Sequence, residues 1–181
     1  MKIDLYSDEE ILKGCNNNSR LYQELLYRKF AKKMYGICLS YTGERNMAQD
    51  VLQESFIKVF KSIKDFKFDG SLEGWVRRIV VNTALDYLRQ KSRLQKYITD
   101  KEDITKEVNE ISAIENLQIQ DIINQIAKLP DGARAVFNLY ALEGYTHKEI
   151  AQKLEITEGT SKSQFSRARK LLMELLNQVS A

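Results

Sequence analysis

The sequence predicts an all-α protein: an N-terminal helical bundle, an acidic connector and a smaller C-terminal helical block. Three observations predict it. Apolar residues recur three to five positions apart almost throughout, the spacing that lines one face of an α-helix. Helix start and stop residues (Ser7, Gly43, Ser71, Pro130, Gly144) punctuate that period at helix-length intervals. The charge pattern divides the chain: residues 1–94 carry 17 Lys and Arg against 12 Asp and Glu, residues 95–122 carry 3 against 7, and residues 123–181 carry 8 against 6. Two basic blocks therefore flank an acidic connector.

The first helix starts at Ser7, with Glu10 in capping-box spacing and Gly14 as its expected stop. A second, from about Ser19 to Tyr41, aligns Leu21, Leu25, Leu26, Phe30, Met34, Ile37 and Tyr41, and Gly43 breaks it. The third, about Asn46 to Ile63, buries Met47, Val51, Leu52, Phe56, Val59, Phe60 and Ile63 and turns Asp50, Gln53, Glu54 and Lys58 outward. The run Asp65 to Gly70 has no helical period, and Ser71 caps a fourth helix that reaches about Gln90. Its buried side is read as Leu72, Trp75, Val76, Ile79, Val80, Thr83, Tyr87 and Leu88, with Trp75 wholly in the core; Arg78, Asn82, Leu85 and Arg89 fall elsewhere. The first domain is expected to close near Arg93. Residues 95–122 read largely as a tether, with helix returning across Ile111, Ile114 and 117–122.

In the C-terminal block, Leu129-Pro130-Asp131 starts a helix whose apolar row is Ala135, Val136, Leu139 and Leu142, ending at Gly144. A helix from Thr146 to Leu154, a three-residue turn Glu155-Ile156-Thr157 and a final helix from about Glu158 to Val179 follow.

Composition bounds the function. Among 181 residues, 43% are apolar and 29% charged, with one Pro and eight Gly, which excludes disordered, collagen-like and linker-dominated chains. Two domains of roughly 60 to 90 residues would each bury only about 60% of their unfolded surface and be marginal alone. Cys15 and Cys38 are too few and too far apart for a disulfide scaffold or a four-ligand zinc site, so a reducing compartment is expected. The acidic opening MKIDLYSDEE lacks a signal peptide's basic start, and no stretch approaches about 18 consecutive apolar residues, so a cytoplasmic protein without membrane insertion is expected.

Two short helices joined by a tight turn, the second polar at its start and basic further on, describe a helix-turn-helix. Ile150, Ala151, Leu154, Ile156, Phe165 and Leu171 close a small core, while Lys162, Ser163, Ser166 and Arg167 project from one side of the second helix. That side suits a major groove, because Lys and Arg donate to guanine edges or phosphates and Ser to either. Thr160 adds a hydroxyl and backbone donors for a phosphate. An isolated run of this kind reads better as a solvated charged face; the turn and core pattern reverse that preference. On the fourth helix, Arg78, Asn82 and Arg89, with Arg77 nearby, share a polar side beside Phe66 and Phe68. Aromatic rings next to cations suit unstacked bases of a single strand. For any one of these residues alone, the alternative is a core plug or a cation lying along the surface.

These residues resemble the extracytoplasmic-function sigma factors of bacterial RNA polymerase. The resemblance is carried by DVLQESFIKVFKSI at 50–63, FDGSLEGWVRRIVVNTALDYLR at 68–89 and LPDGARAVFNLYALEGYTHKEIAQKLEITEGTSKSQFSRARKLL at 129–172, in that order. The GSLEGWVRRIVVNTALD and EGYTHKEIA versions are similar to those of sigma factors from the Bacteroidota. The resemblance implies that residues 1–94 form region 2, binding core polymerase and the promoter −10 element; 95–122 the linker; and 123–181 region 4, binding the −35 element. It implies that Asp50, Gln53, Glu54 and Lys58 meet the beta-prime clamp helices of polymerase, with the beta flap as a second polymerase contact. Phe66, Phe68, Asp69, Gly70 and Ser71 would form a loop that captures a flipped base, with Arg78, Asn82 and Arg89 along the −10 strand. Flipping costs a few kcal/mol of unstacking, which the pocket must offset. Thr160, Lys162, Ser163, Ser166 and Arg167 would face the −35 duplex. An anti-sigma factor, a monomeric free state and no cofactor or metal are implied as well.

Two positions depart from the family pattern. Glu155 stands at a turn position that is often Gly, so a positive φ there would be strained. The recognition helix, SKSQFSRAR, is less Arg-rich than in many relatives.

Two other classes fare worse. A stand-alone helix-turn-helix regulator would leave the basic first block without a role and lacks a dimerisation helix. An enzyme finds no support: His147 is the sole histidine and reads as a solvated or capping residue, no glycine motif cradles phosphate, and Glu9-Glu10, Glu102-Asp103 and Glu149 read as solvated carboxylates. Catalysis by this chain alone is therefore not expected.

Overall fold

The computed structural model describes residues 6–98 and 117–179, and every regular element among them is helical. Helices α1 (Asp8–Asn16), α2 (Arg20–Thr42), α3 (Arg45–Ser62) and α4 (Leu72–Ile98) make the first bundle. Helices α5 (Leu117–Ala127), α6 (Asp131–Phe137), α7 (His147–Leu154) and α8 (Glu158–Val179) follow. The tether expected before Leu117 lies mostly outside the described residues, and so do Ile111 and Ile114.

Local chemistry starts and stops these helices much as the sequence requires. Ser7 caps α1 in a complete capping box: its hydroxyl accepts the Glu10 N–H at 3.2 Å, and the Glu10 carboxylate accepts the Ser7 N–H at 2.8 Å. These bonds hold the Glu10 carboxyl below its ordinary range. Gly43 ends α2 at φ 74°, donating to the Leu39 carbonyl. Gly14, however, is not a stop. Helix α1 runs on to Asn16, and Gly14 is buried against the Tyr22 ring, where a Cβ would lie 2.0 Å from Cγ. Its role is close helix packing, and the chain turns instead at Asn18, at φ 56°.

The core of the bundle joins Ile11, Leu12, Leu25, Leu26, Phe30, Met34, Leu39, Val51, Phe56, Val59, Leu72, Val76 and Val80. Three expectations need correction. Leu85, read as outward, is buried, because α4 is covered on more than one side. Trp75, read as wholly core, is only half-buried. Leu142 is exposed, because a π-helical turn, Asn138–Leu142, follows α6 and rotates the row by about one position. Helix α4 also runs about two turns beyond Gln90.

The two helical blocks share a core. Val136, Leu139 and Ile150 are buried within the cluster of the first bundle, and α5 packs along α2, with Ile123 against Gly36. A smaller cluster of Ile126, Leu129, Ala133, Ala168 and Leu172 holds α5, α6 and α8 together.

Candidate nucleic-acid interface

The segment between α3 and α4 is shaped by one 3-10 turn (Ile63–Asp65) and two left-handed residues, Phe68 at φ 59° and Gly70 at φ 95°. The Ser71 hydroxyl accepts the Gly74 N–H at 3.1 Å and so starts α4. This bend brings Asp69, Gly70 and Ser71 together with Gly74, Trp75 and Arg78 around one surface cavity. Phe66 lies beside it, with ring centroids 5.2 Å from Phe68 and 5.6 Å from Trp75. Phe68 is 57% exposed. The structure thus unites six of the loop and helix positions singled out from sequence (Phe66, Phe68, Asp69, Gly70, Ser71 and Arg78) and adds Gly74 and Trp75. Its half-exposed ring carried no separate sequence signal, because Trp75 also falls on the apolar period of α4.

Further along α4, Arg78 and Asn82 are exposed. Arg89 is committed: it pairs with Asp86 and donates to the Lys153 carbonyl at 3.0 Å. Arg77 forms a two-pronged pair with Glu143, at 2.9 and 2.8 Å, which raises the guanidinium pKa further. A second cavity, lined by Gly74, Arg77, Arg78, Val81, Glu143 and Tyr145, adjoins the first through the shared Gly74 and Arg78.

On α3, Asp50, Gln53 and Glu54 are exposed, and Lys58 reaches Glu54 at 2.9 Å and Asp86 at 3.6 Å. Ile57 on the same helix, 54% exposed, and Tyr27 on α2, whose ring is 4.7 Å from Phe56, add apolar surface that the polar reading of this face missed.

The second block forms the expected helix-turn-helix. Thr146 caps α7 in a capping box with Glu149, and those bonds lower the Glu149 carboxyl pKa. The turn is left-handed at Glu155, φ 56° and ψ 42°, so the strain expected of a non-glycine residue there is present. Ile150 is buried, while Ala151, Leu154, Ile156, Phe165 and Leu171 are partly so. Lys162, Ser163, Ser166 and Arg167 are all exposed on α8. Lys162 pairs with Glu158 at 2.7 Å, and the Ser163 hydroxyl donates to the Thr160 carbonyl. Thr160 needs a correction: its backbone N–H donates to Thr157 Oγ1 at 3.0 Å, so that donor is taken by the helix cap. His147 is neither solvated nor a cap. Its ring stacks on Tyr140 at 4.5 Å, and its Nδ1 lies 2.9 Å from the buried Ser161 hydroxyl, locking α7 to α8.

Among the described residues no group of three His, Cys, Asp or Glu side chains is placed to hold a metal ion, and no helix is long and apolar enough to cross a membrane.

The two faces fall in two segments matched by family models, Sigma-70 region 2 over residues 26–94 and Sigma-70 region 4 over residues 119–172. The chain is 27% identical to the ECF RNA polymerase sigma-E factor of Haemophilus influenzae, across 92% of this chain and 93% of that one. It is 26% identical to the RNA polymerase sigma-H factor of Pseudomonas aeruginosa, across 93% of each. The chain belongs to the extracytoplasmic-function sigma factors of RNA polymerase. Its fold is similar to that of the sigma factor RpoE from Bartonella quintana, solved in complex with the anti-sigma factor NepR: TM-score 0.55 and 22% identity, covering 85% of this chain and 96% of that one. As an alternative sigma factor it is a transcription initiation factor, a class that acts without catalysis of its own.

Proposed function

We propose that this sigma factor recruits core polymerase through Asp50, Gln53, Glu54 and Lys58, reads the −35 duplex with α8, and traps melted −10 bases at the start of α4. In this reading region 2 spans residues 1–94, the linker 95–122 and region 4 residues 123–181. Ser163, Ser166, Lys162 and Arg167 meet the duplex, with the Thr160 hydroxyl at its edge. Phe66, Phe68, Asp69, Gly70 and Ser71 receive an unstacked base, and Arg78, Asn82 and Arg89 follow the strand. Nucleotide transfer belongs to the polymerase, in the cytoplasm. An anti-sigma factor holds the protein inactive, as NepR accompanies its partner in the Bartonella quintana complex.

The observation that carries this reading is the cavity that gathers Asp69, Gly70, Ser71, Trp75 and Arg78 beside the Phe66 and Phe68 rings. It offers apolar faces for stacking, polar groups for a base edge and a cation for the adjoining phosphate, the combination a splayed-out base needs. The test is reconstituted transcription: the protein is added to sigma-free core polymerase with a fragmented genomic library, and transcript starts are sequenced. Discrete starts sharing two spaced upstream boxes are expected. A folded protein that fails to bind core polymerase would return the chain to the stand-alone regulator class.

A further inference from the structure

For Ser163, Ser166 and Arg167 to enter a groove together, α8 must be held at a fixed rotation about its own axis and at a fixed angle to α7. The turn alone does not supply this. It joins the helices only at the C-terminal end of α7, and its Glu155 sits in a costly left-handed conformation. Helix α7 has 8 residues and buries Ile150. Apolar contacts of that kind are non-directional, so they favour association of the two helices without fixing their rotation.

A directional contact lies at the other end of α7. His147, its first residue, reaches Ser161 near the start of α8, with Nδ1 and Oγ 2.9 Å apart. Either neutral tautomer closes this bond, since a hydroxyl both donates and accepts. Ser161 belongs to the inward stripe of Ser161, Phe165, Ala168 and Leu172 and is fully buried in it. A hydroxyl in such a stripe needs a partner. The hydroxyls of Ser55, Ser62 and Thr83 donate to the carbonyl four residues earlier in their own helices, at 2.6, 2.8 and 2.9 Å. That of Ser161 is directed across to α7.

The imidazole is itself held. Its ring stacks on Tyr140 at 4.5 Å and stands edge-on to Phe165 at 5.8 Å, while Tyr140 and Phe165 lie 4.5 Å apart. Tyr140 comes from the π-helical turn before α7, so that turn, α7 and α8 all meet around this ring. Any rotation of α8 that turns Ser163 and Arg167 also carries Ser161 away from Nδ1, because the three side chains ride on one rigid helix.

We propose that His147 is a positioning residue for promoter reading: clamped by Tyr140 and bonded to Ser161, it sets the rotation of α8 and so aims Ser163, Ser166 and Arg167 at the −35 duplex. The bond serves discrimination between duplex sequences rather than attraction to DNA in general, because base-edge contacts demand an exact direction and phosphate contacts do not. This proposal rests on the reading of α8 as the −35 face.

The test uses the full chain reconstituted with core polymerase and two templates, one carrying the upstream box shared by the mapped transcript starts and one with that box scrambled. The ratio of transcription from the two measures discrimination. His147→Phe keeps a ring against Tyr140 and removes the bond, Ser161→Ala removes the partner, and His147→Asn discards the ring but keeps an amide atom close to the Nδ1 position. His147→Phe and Ser161→Ala should each lower the ratio at least about fivefold, the worth of one lost base contact. The double variant should fall no further than either alone. His147→Asn should retain more discrimination than His147→Phe. An unchanged ratio in folded His147→Phe or Ser161→Ala would overturn the proposal. So would losses that multiply in the double variant, or an equal fall on both templates, which marks a merely structural role. If Arg167→Ala discriminates as well as the parent, the −35 reading of α8 falls and this proposal with it. If Arg167→Ala loses discrimination while His147→Phe and Ser161→Ala keep it, the role of His147 alone is refuted. Thermal melts identify an unfolded variant, and Ser161→Ala, which suits a buried helical stripe, decides the matter if His147→Phe does not fold.

Discussion

Thr157, not Thr160, governs the start of the recognition helix: the Thr157 hydroxyl oxygen accepts the Thr160 N–H at 3.0 Å and lies 2.8 Å from the Thr160 hydroxyl. The Ser161 N–H bonds the Thr157 carbonyl at 3.0 Å, completing the first turn. Removing this cap by Thr157→Ala should cost about 1 kcal/mol in a urea titration. It should also weaken −35 duplex binding, because the frayed turn carries Thr160 and Lys162. Thr160→Ala should be milder in the same titration, since the N–H that satisfies the cap is retained; equal losses from the two variants would contradict the assignment.

Phe68 is an exposed aromatic in a left-handed conformation whose ring contacts that of Phe66. Phe68→Ala should therefore alter folding stability by less than about 1 kcal/mol. If the ring stacks on a base, the same change should reduce open-complex formation by about 1 to 3 kcal/mol, read as permanganate reactivity of −10 thymines. Full reactivity in the variant would remove Phe68 from the site.

Glu155 adopts φ 56° in the helix-turn-helix turn, a region costly for any side-chain-bearing residue. Glu155→Gly should raise the unfolding free energy by about 1 kcal/mol. Calorimetry of the full chain checks this. A lowered midpoint would mean that the Glu155 side chain contributes more than its backbone costs.

Both cysteines are buried, and burial pushes their thiols up, Cys15 to about 11 and Cys38 to about 12, from an ordinary value of 9.0. A thiol whose pKa is raised on folding adds stability that is complete below the ordinary value and is lost as pH rises through the folded one. Urea midpoints should therefore hold up to about pH 9 and fall toward pH 11 and 12. The Cys15→Ala, Cys38→Ala double variant should fall less steeply. At pH 8 neither thiol should react with a disulfide reagent until urea unfolds the chain; rapid native-state labelling would contradict their burial.

The capping box at Ser7, the glycine stop at Gly43 and the turn at Glu155 were all legible, because each depends on residues within four positions of one another. So was the outward array of Ser163, Ser166 and Arg167, which helical period alone dictates once the apolar face is known. Gly14 and Leu142 were misread for a different reason. A glycine needed for contact with Tyr22 has the same one-letter signature as a helix stop, and a π turn shifts the period without any local mark.

By itself, then, the sequence determined an all-α chain with two helical blocks, the helix-turn-helix and an aromatic loop ahead of a basic helix, all products of short-range periodicity and capping. Only the tertiary structure decided that Trp75 borders a cavity, that Arg134 is buried against the end of α2, and that Glu143 meets Arg77 across 66 positions of sequence. A charged residue on a helix has the same local pattern whether it faces water or a distant backbone carbonyl. Which one it meets depends on how whole surfaces pack, and no local period encodes that.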